Sequence, residues 1–565
     1  MAQLPGSNHN EEPKGMRMRL ISNVEAVRER YGIDPVGQLL FTNIRLDSKK
    51  LVTPLLAETT SGTFLMARQQ EMGNLLSAGV ALEDLKMYEP WVTIDKRITD
   101  GIPVLPKFVD VVETLAAGNP VEFDDGIPLA HYQAIGDRVA VTLPEAPEQT
   151  VRAYEIQVGD VLEKFKNLRE SGVGVAHSLV DSIGHLAGLA EEFTSDVDTR
   201  YTGLEILAGD LGVDGFLLAS PPNFSEATGL ESDESTVALW ARGTDTVVLI
   251  ASADRMDIPG VPRGKFDSVA HAVEQVLGGK TLGVEEHWIS ARLGVELAER
   301  GLKTSNASIP LGHWRDIRDH EDLPFQFIAA RASVTCIEQA LDYAQRQISS
   351  GNFLTENAVY AVYLEAIQSF RELHSIPFCI EPYFTNLHSS TRMLFPGPPT
   401  DFPLDGDTKC IQLDAGVKVT GGGVVLATSD MARSLLLTPE GKEAYDLLTR
   451  IMREDIIGAL KPGVVCSDVH ATAMVALTAN RQRLEELGML ATGIEFVSEY
   501  KKRNVGHLMG KQESFANELR PGYDHVLHVG SMGAAEIPWR FGDHAIGTED
   551  MWFIGKDKTY VMTLL

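Results

Sequence analysis

The feature that most constrains this fold is a set of single acidic or histidine residues, each inside an apolar or glycine-rich stretch between residues 411 and 552. The set is Asp414, Asp430, His507, Glu536 and Glu549. The neighbouring runs IQL, VVLA, VLHV and MWFI are short and apolar, which predicts buried strands. A carboxylate buried without a partner is very costly, so four carboxylates directed at one place require cations.

Four carboxylates and one imidazole are a ligand set for two divalent metal ions held close together, which can bind and activate a water. Sites rich in oxygen with one histidine suit Mn, Fe or Co, and Zn is a further candidate. Each residue taken alone has an ordinary reading. Asp430 would cap a turn, and Glu549 with Asp550 would form an exposed acidic step. The order of the five and their apolar surroundings favour the metal hypothesis.

Six motifs in this region carry a resemblance to a known family. They are LDAG at 413–416, SDMAR at 429–433, KPG at 461–463, GHLMG at 506–510, EIP at 536–538 and ED at 549–550. The region, roughly 325–565, resembles the creatinase, aminopeptidase P and methionine aminopeptidase family (metallopeptidase family M24). The resemblance implies an α/β (α+β) fold class with a pita-bread catalytic domain at residues 316–565.

The resemblance also implies roles for the five residues. Asp414 and Asp430 would supply bridging and chelating oxygens, and His507 would bind one ion. Glu536 and Glu549 would complete the pair of sites, and Glu536 would also act as the catalytic acid and base. The implied cofactor is two divalent metal ions.

A further histidine is expected upstream of the first metal aspartate, where family members contact the substrate or the developing oxyanion. His388, in FTNLHSSTRML, is the preferred catalytic candidate. A neutral imidazole there could donate one hydrogen bond to charge developing on oxygen. His374 is the rival, but its position directly after a predicted helix favours a structural role.

Three departures from the family pattern concern the surroundings of the metals. Asp414 and Asp430 are 16 positions apart, which is more than in the family, and GGG at 421–423 indicates a widened hairpin between them. Peptidases of the family have a histidine seven residues beyond the metal histidine and a glutamate after it. This chain has Ser514 and Phe515 at those positions. The usual arginine before the last metal ligand is Gly547. Three histidines could replace the missing one: His525, His528 and His544.

The amino-terminal half suggests two copies of one α/β domain after a disordered segment at 1–15. Segments 32–42, 62–72 and 112–125 correspond loosely to segments 212–220, 245–256 and 273–286. The predicted domains are therefore residues 16–195 and 196–315, both similar to creatinase amino-terminal domains. Two unrelated α/β domains would show similar patterns.

Several helices are predicted from apolar periodicity and capping residues. An amphipathic helix is expected near 148–171 as a packing element between domains. Four further helices are expected near the strands that carry the candidate ligands. One spans 325–350, a second begins after Thr355, a third spans 439–460 after Thr438, and a fourth spans 468–487 after Ser467.

The composition limits the classes of partner that the protein is expected to bind. The net charge of −29 argues against nucleic acid and anionic membrane surfaces. The four cysteines have no short spacing, no apolar run is long enough to cross a membrane, and the amino terminus lacks a signal-peptide core. We therefore expect a cytoplasmic protein, with a small molecule or short peptide as substrate, and by resemblance a homodimer.

The function favoured at this point is a dinuclear metal-dependent hydrolase that resembles Xaa-Pro aminopeptidases. A metal-bridged water would be the nucleophile, and the pocket would be rebuilt for a small or unusual substrate. The alternatives are a genuine Xaa-Pro aminopeptidase or prolidase, a non-hydrolytic lyase of the dimethylsulfoniopropionate lyase type, and an inactive peptidase-like binding module.

Overall fold

A computed structural model of the chain describes residues 18–33, 55–88, 106–124, 126–145, 150–181, 183–233, 235–255, 257–316, 319–390, 392, 397–490, 504–511, 513–541 and 544–565. The predicted disordered segment at 1–15 and most of the segment 32–42 lie outside these residues. Within them, no helix combines the length and apolar character that a membrane span needs.

The first part of the chain forms a six-stranded sheet in the order β4-β3-β2-β1-β5-β6. Its strands are β1 (Met18–Ile21), β2 (Leu55–Thr59), β3 (Gly62–Arg68), β4 (Leu85–Tyr88), β5 (Val121–Phe123) and β6 (Val141–Thr142). Its helices are α1 (Val24–Tyr31), α2 (Met72–Ser77), α3 (Phe108–Ala116) and α4 (Leu129–Gly136).

A seven-stranded sheet follows in the order β11-β7-β10-β9-β8-β12-β13. Its strands are β7 (Val151–Gln157), β8 (Gly215–Leu218), β9 (Val237–Ala241), β10 (Thr246–Ser252), β11 (Val261–Phe266), β12 (Thr281–Val284) and β13 (Lys303–Asn306). The helices of this part are α5 (Val158–Val180), α6 (Arg200–Leu211), α7 (Pro221–Thr228), α8 (Val269–Leu277), α9 (Ala291–Glu299) and α10 (Ser308–Asp316).

The second sheet is covered on both faces, as a three-layer α/β domain requires. Along β10, Val248 and Ile250 pack into one apolar cluster, whereas Val247 and Leu249 pack into another on the opposite face. A strand buried on both faces needs a continuous apolar run rather than an alternating one, which explains the sequence TVVLIAS.

The two sheets share a strand order. The run β3-β2-β1-β5-β6 of the first matches β10-β9-β8-β12-β13 of the second, with the same parallel and antiparallel pairings. In this alignment β3 corresponds to β10, and α3 with β5 corresponds to α8 with β12, as two of the three proposed sequence correspondences require.

The predicted boundary between residues 195 and 196 does not match the sheets. Strand β7 pairs with β10 and β11, so the second sheet begins at Val151. The predicted helix at 148–171 is wrong over its first part for the same reason. In VRAYEIQ the apolar residues fall mostly on alternate positions, which is a strand pattern, and α5 begins only at Val158. Its Val161 and Phe165 share a core with Phe325, so the helix does pack between domains.

The remaining helices lie around two larger sheets and one two-stranded sheet. They are α11 (Leu323–Ser349), α12 (Glu356–Leu373), α13 (Pro439–Arg450) continued by a π-helical segment (Ile451–Ile457), α14 (Cys466–Ala479) and α15 (Arg481–Glu486). Thr355 and Thr438 accept backbone N–H groups at the starts of α12 and α13, as predicted. The predicted cap Ser467 is wrong, because Val465 precedes the first helical residue.

The two larger sheets of this last part carry the candidate residues. The strands are β14 (Leu354–Thr355), β15 (Cys379–Ser389), β16 (Pro403–Leu404), β17 (Cys410–Gly421), β18 (Val424–Thr428), β19 (Met431–Leu436), β20 (Gly506–Met509), β21 (Glu513–Glu518), β22 (Met532–Phe541), β23 (His544–Ile554) and β24 (Thr559–Val561). One larger sheet has the order β15-β17-β18 with β19 also on β17, and the other has the order β21-β20-β22-β23-β24. Strands β14 and β16 pair with each other in a separate two-stranded sheet. The predicted fold class is confirmed.

Candidate metal centre

The first predicted ligand, Asp414, lies in β17 between β15 and β19. Its cross-strand neighbours are Asn386 and Ala432. Two residues later, a Cβ on Gly416 would overlap the backbone carbonyl of Ser429. The glycine of the LDAG motif is therefore required by the close approach of the segment that carries Asp430.

Asp430 immediately precedes β19 and is 6% exposed. The preceding residue, Ser429, fixes its position. The Ser429 hydroxyl accepts the backbone N–H of Val417 at 2.8 Å and lies 2.6 Å from the hydroxyl of Ser333 on α11. Asp430 therefore follows a corner that is held by hydrogen bonds to β17 and α11.

His507 lies in β20 and is almost completely buried. Gly506 before it has a φ of +139°, and a Cβ there would overlap the carbonyl oxygen of Ala534. The Nδ1 of His507 lies 3.1 Å from the carbonyl oxygen of Leu508. A carbonyl only accepts, so this contact places the proton on Nδ1 and leaves the lone pair on Nε2, as in a metal-ligating imidazole.

Glu536 and Glu549 are direct cross-strand partners in β22 and β23. Cross-strand partners project from the same face of a sheet, so both carboxylates lie on one side. His507 pairs with Ala534, two residues before Glu536, so it belongs to that side as well.

The structure brings three of the five predicted ligands into one group. Atoms of Asp430, His507 and Glu549 that could bind a metal all lie within 4.8 Å of one another. Nε2 of His507 lies 3.5 Å from Oδ2 of Asp430. Within the described part of the chain, the carboxylates of Asp414 and Glu536 fall outside this group, although each lies on a strand adjacent to one of its members.

The opposite face of β23 is occupied by a structural ion pair. Asp550 is completely buried and accepts hydrogen bonds from Arg433 at 2.5 Å, Arg453 at 2.6 Å and the hydroxyl of Thr563 at 2.8 Å. Burial raises the pKa of Asp550, but the two arginines outweigh it and hold the pKa below its usual value. Arg433 also donates to the carbonyl oxygen of Glu549, so it positions the backbone of that ligand.

His388 lies in β15 and is completely buried. It pairs with Gln412 and lies on the same face as Asn386 and Asp414. His374, its rival, follows the last residue of α12 and packs against Phe370, which supports its structural interpretation.

Asn386 is a residue that the sequence analysis missed. Its Nδ2 donates to Oδ2 of Asp414 at 3.2 Å, and its Oδ1 accepts the backbone N–H of Gly397 at 2.9 Å. The amide therefore orients a predicted metal ligand from behind, a common arrangement around metal sites. The two-residue spacing between Asn386 and His388 was the signal that could have revealed it.

The structure explains one departure from the family pattern, at Gly547, and gives the strand pairing at another. A Cβ on Gly547 would overlap Nε2 of the buried side chain of Gln412, which occupies the space above the glycine. Ser514 pairs with Leu508 in the strand beside His507, while its side chain and that of Phe515 lie outside the described atoms.

The three substitute histidines occupy other environments. His544 lies 2.8 Å from the hydroxyl of Thr438, which caps α13. His525 and His528 contact each other edge to face, with ring centroids 6.1 Å apart.

Comparison with known proteins agrees with this geometry. Residues 328–556 match the family model for metallopeptidase family M24. The prolidase from Pyrococcus horikoshii OT3 has a similar structure, with a TM-score of 0.50 and 17% identity over 65% of this chain and 98% of that chain. The N-terminal domain of FACT complex subunit SPT16 from Cicer arietinum (chickpea) has a TM-score of 0.51 and 15% identity, over 65% and 94% of the two chains.

No curated protein is significantly similar to the chain in sequence. At identities this low, the two solved structures show a shared fold, and the family match rests on residues 328–556. That region contains all six predicted site residues. The chain therefore carries a domain of metallopeptidase family M24.

Proposed function

We propose that the chain is a dinuclear metal-dependent hydrolase of the M24 type. The observation that carries the proposal is the meeting of Asp430, His507 and Glu549, which come from three separate segments of the chain, with ligand atoms within 4.8 Å of one another. Two carboxylates and an imidazole buried together have the chemistry of a divalent metal site. The ligand face of His507 is Nε2, because its Nδ1 is directed to a carbonyl.

Asp414 and Glu536 are the proposed additional ligands for a second ion. Glu536 faces Glu549 directly across the sheet, and Asp414 lies beside β19 on the face that carries Asn386 and His388. Mn, Zn, Fe and Co all accept such ligands. When bound, a pair of divalent ions supplies an acidified water and polarises the oxygen of the electrophile.

The protein's own groups then complete the chemistry. Glu536 is half-buried, and its carboxylate would take the proton of the attacking water and return it to the leaving group. His388 would donate a hydrogen bond to charge that develops on the substrate oxygen. Asn386 holds Asp414 in place while these protons move.

For the substrate we propose a small molecule or one unusual amide, C–N or C–S bond rather than an ordinary Xaa-Pro peptide. The histidine and glutamate that peptidases of this family carry after the metal histidine are Ser514 and Phe515 here. The position of the family arginine is Gly547, and Gln412 fills the space above it. Loss of one positioned acid or oxyanion donor commonly costs about 10² to 10⁴ in rate.

An assay of the Mn- and Zn-loaded protein against Xaa-Pro dipeptides and tripeptides tests the substrate proposal. We expect slow turnover. Rates near ordinary enzyme values, on the order of 10 s⁻¹, would contradict it and support a genuine Xaa-Pro aminopeptidase or prolidase.

Metal analysis of the purified protein tests the centre itself. We expect bound divalent metal in the wild-type protein and in Asp407→Asn, a control at an exposed aspartate. Asp430→Asn should lose metal and activity together. Full occupancy in Asp430→Asn would contradict the ligand assignment, and a wild-type protein that binds no metal would favour an inactive binding module.

We further propose that the protein is a homodimer, as the family resemblance implies. Light scattering at micromolar concentration should give twice the mass of the 565-residue chain. A single species of monomer mass would contradict the proposal.

A further inference from the structure

A buried lysine joins the strand of the proposed metal histidine to the second α/β domain. Lys511 follows β20, four residues after His507, and is 3% exposed. Its ammonium group forms an ion pair with Glu226 and lies 3.5 Å from Oδ2 of Asp322. Glu226 belongs to α7 of the second domain, 285 positions away in the chain.

The acidic partner of Lys511 is itself held rigidly. Glu226 also accepts Nε of the fully buried Arg200 at 2.9 Å, and Arg200 bonds Asp198 at 2.6 Å. Asp198 in turn accepts from Arg169 of α5 at 2.9 Å. Buried charges stay in one arrangement when each has its partners, because every break leaves a charge uncompensated.

Gly510, the residue before Lys511, connects this network to the segment that carries the proposed ligand Asp430. The carbonyl oxygen of Gly510 accepts from the side chain of Gln326 on α11 and from the backbone N–H of Thr428, the latter at 3.5 Å. Thr428 stands two residues before Asp430, and Gly510 stands three residues after His507. The anchor of Lys511 therefore lies at the junction of both segments, only a few residues from each ligand.

We propose that Lys511 is a positioning residue for the metal centre. Its ion pair with Glu226 would hold β20, and the segment from Thr428 to Asp430, in a fixed position relative to the second α/β domain. The proposal rests on the metal centre proposed above. It gives the second domain a role in the chemistry, since its α7 would determine how closely His507 and Asp430 approach each other.

The test uses the full-length protein with Lys511→Met, which keeps the length of the side chain but removes the charge, and Lys511→Arg, which keeps the charge. Lys418→Met is the matched control, because Lys418 pairs with Glu381 near the surface of the adjoining cleft. Mn²⁺ affinity is measured by titration after chelator treatment. Co²⁺-loaded samples give the visible absorption spectrum, and melting temperatures are recorded without metal.

We expect Lys511→Met to weaken Mn²⁺ binding about tenfold or more, within the range for residues that orient metal ligands, and to change the Co²⁺ spectrum. Lys511→Arg should recover most of the affinity, and Lys418→Met should behave as wild type. If Lys511→Met lowers only the metal-free melting temperature and binds Mn²⁺ as wild type does, the lysine is merely structural and the inference is wrong.

Should Lys511→Met fail to fold, Glu226→Gln replaces it and must show the same loss of affinity. A wild-type protein that binds no Mn²⁺ would overturn the metal centre, and this inference with it. If the wild-type protein binds Mn²⁺ and the Lys511 and Glu226 variants bind it equally well, this inference is wrong but the proposed metal centre stands.

Discussion

The two faces of β23 carry neighbouring acids in opposite surroundings. Glu549 projects into the group formed with Asp430 and His507, whereas Asp550 projects to the other side, among Arg433, Arg453 and Thr563. Both acids are buried, and they are adjacent in sequence. Alternation along a strand is enough to separate them, because successive side chains point to opposite faces of a sheet.

The difference teaches how to distinguish a structural acid from a functional one. On the Asp550 face, one carboxylate meets two guanidinium groups, so the protein itself supplies the balancing charge. The Glu549 face brings two carboxylates to a single imidazole. A set of this kind is stabilised by a bound cation, and the comparison therefore predicts that the two faces respond differently to mutation.

The largest effect is expected for Glu549→Gln. The substitution removes one proposed ligand charge, so turnover should fall by about 10² to 10⁴ and bound metal should fall with it. In the presence of chelator the variant should melt at or above the wild-type temperature, because repulsion from Asp430 is reduced. Metal analysis, kinetics with whichever substrate is established and melting curves check this. An unchanged metal content would remove Glu549 from the centre.

Asp550→Asn should have the reverse profile. Removing one partner of a buried ion pair typically costs about 3–5 kcal/mol, because it leaves the arginines uncompensated. Urea unfolding should show a loss of this size, while the fraction of folded protein that binds metal stays the same. If Asp550→Asn lost metal without losing stability, the assignment of the two faces would have to be exchanged.

Much of the last domain could be predicted from sequence, because its information is local. The strands that carry Asp414 and Glu549 each contain a short apolar run beside the acid, IQL and MWFI, and Thr355 and Thr438 are strong capping residues. The motifs also predicted that Asp430, His507 and Glu549 lie close together, and the structure places them in one group.

Contacts between distant segments could not be predicted in the same way. The pairing of Asn386 with Asp414 and that of Lys511 with Glu226 depend on strand register and on domain docking. Neither leaves a periodic pattern in the chain. The error at Val151 had a different cause: a short amphipathic strand directly before a long helix was absorbed into the helical pattern.

A smaller effect is expected for Gly547→Ala, which sharpens the comparison on the Glu549 face. The added methyl group would overlap Gln412 and lie 3.0 Å from Cβ of Ala432. Overpacking of this kind costs about 1–3 kcal/mol. The second substitution Gln412→Ala should restore stability, because it empties the space above position 547. Urea unfolding of the two single variants and the double variant measures the coupling, and strictly additive losses would show that Gln412 does not fill that space.

The smallest effect concerns pH and again separates the two faces. The arginines hold the pKa of Asp550 below its ordinary value of 3.8. A carboxylate with a depressed pKa contributes stability that is complete above the unfolded-state pKa and is lost as the pH falls through the folded-state value. The stability difference between wild type and Asp550→Asn should therefore be constant near neutral pH and shrink as the pH falls below about 4. Hydrogen exchange of peptides from residues 544–554 follows the local stability of β23 in both proteins. A difference that stayed constant into this acidic range would show that the charge of Asp550 does not stabilise the strand.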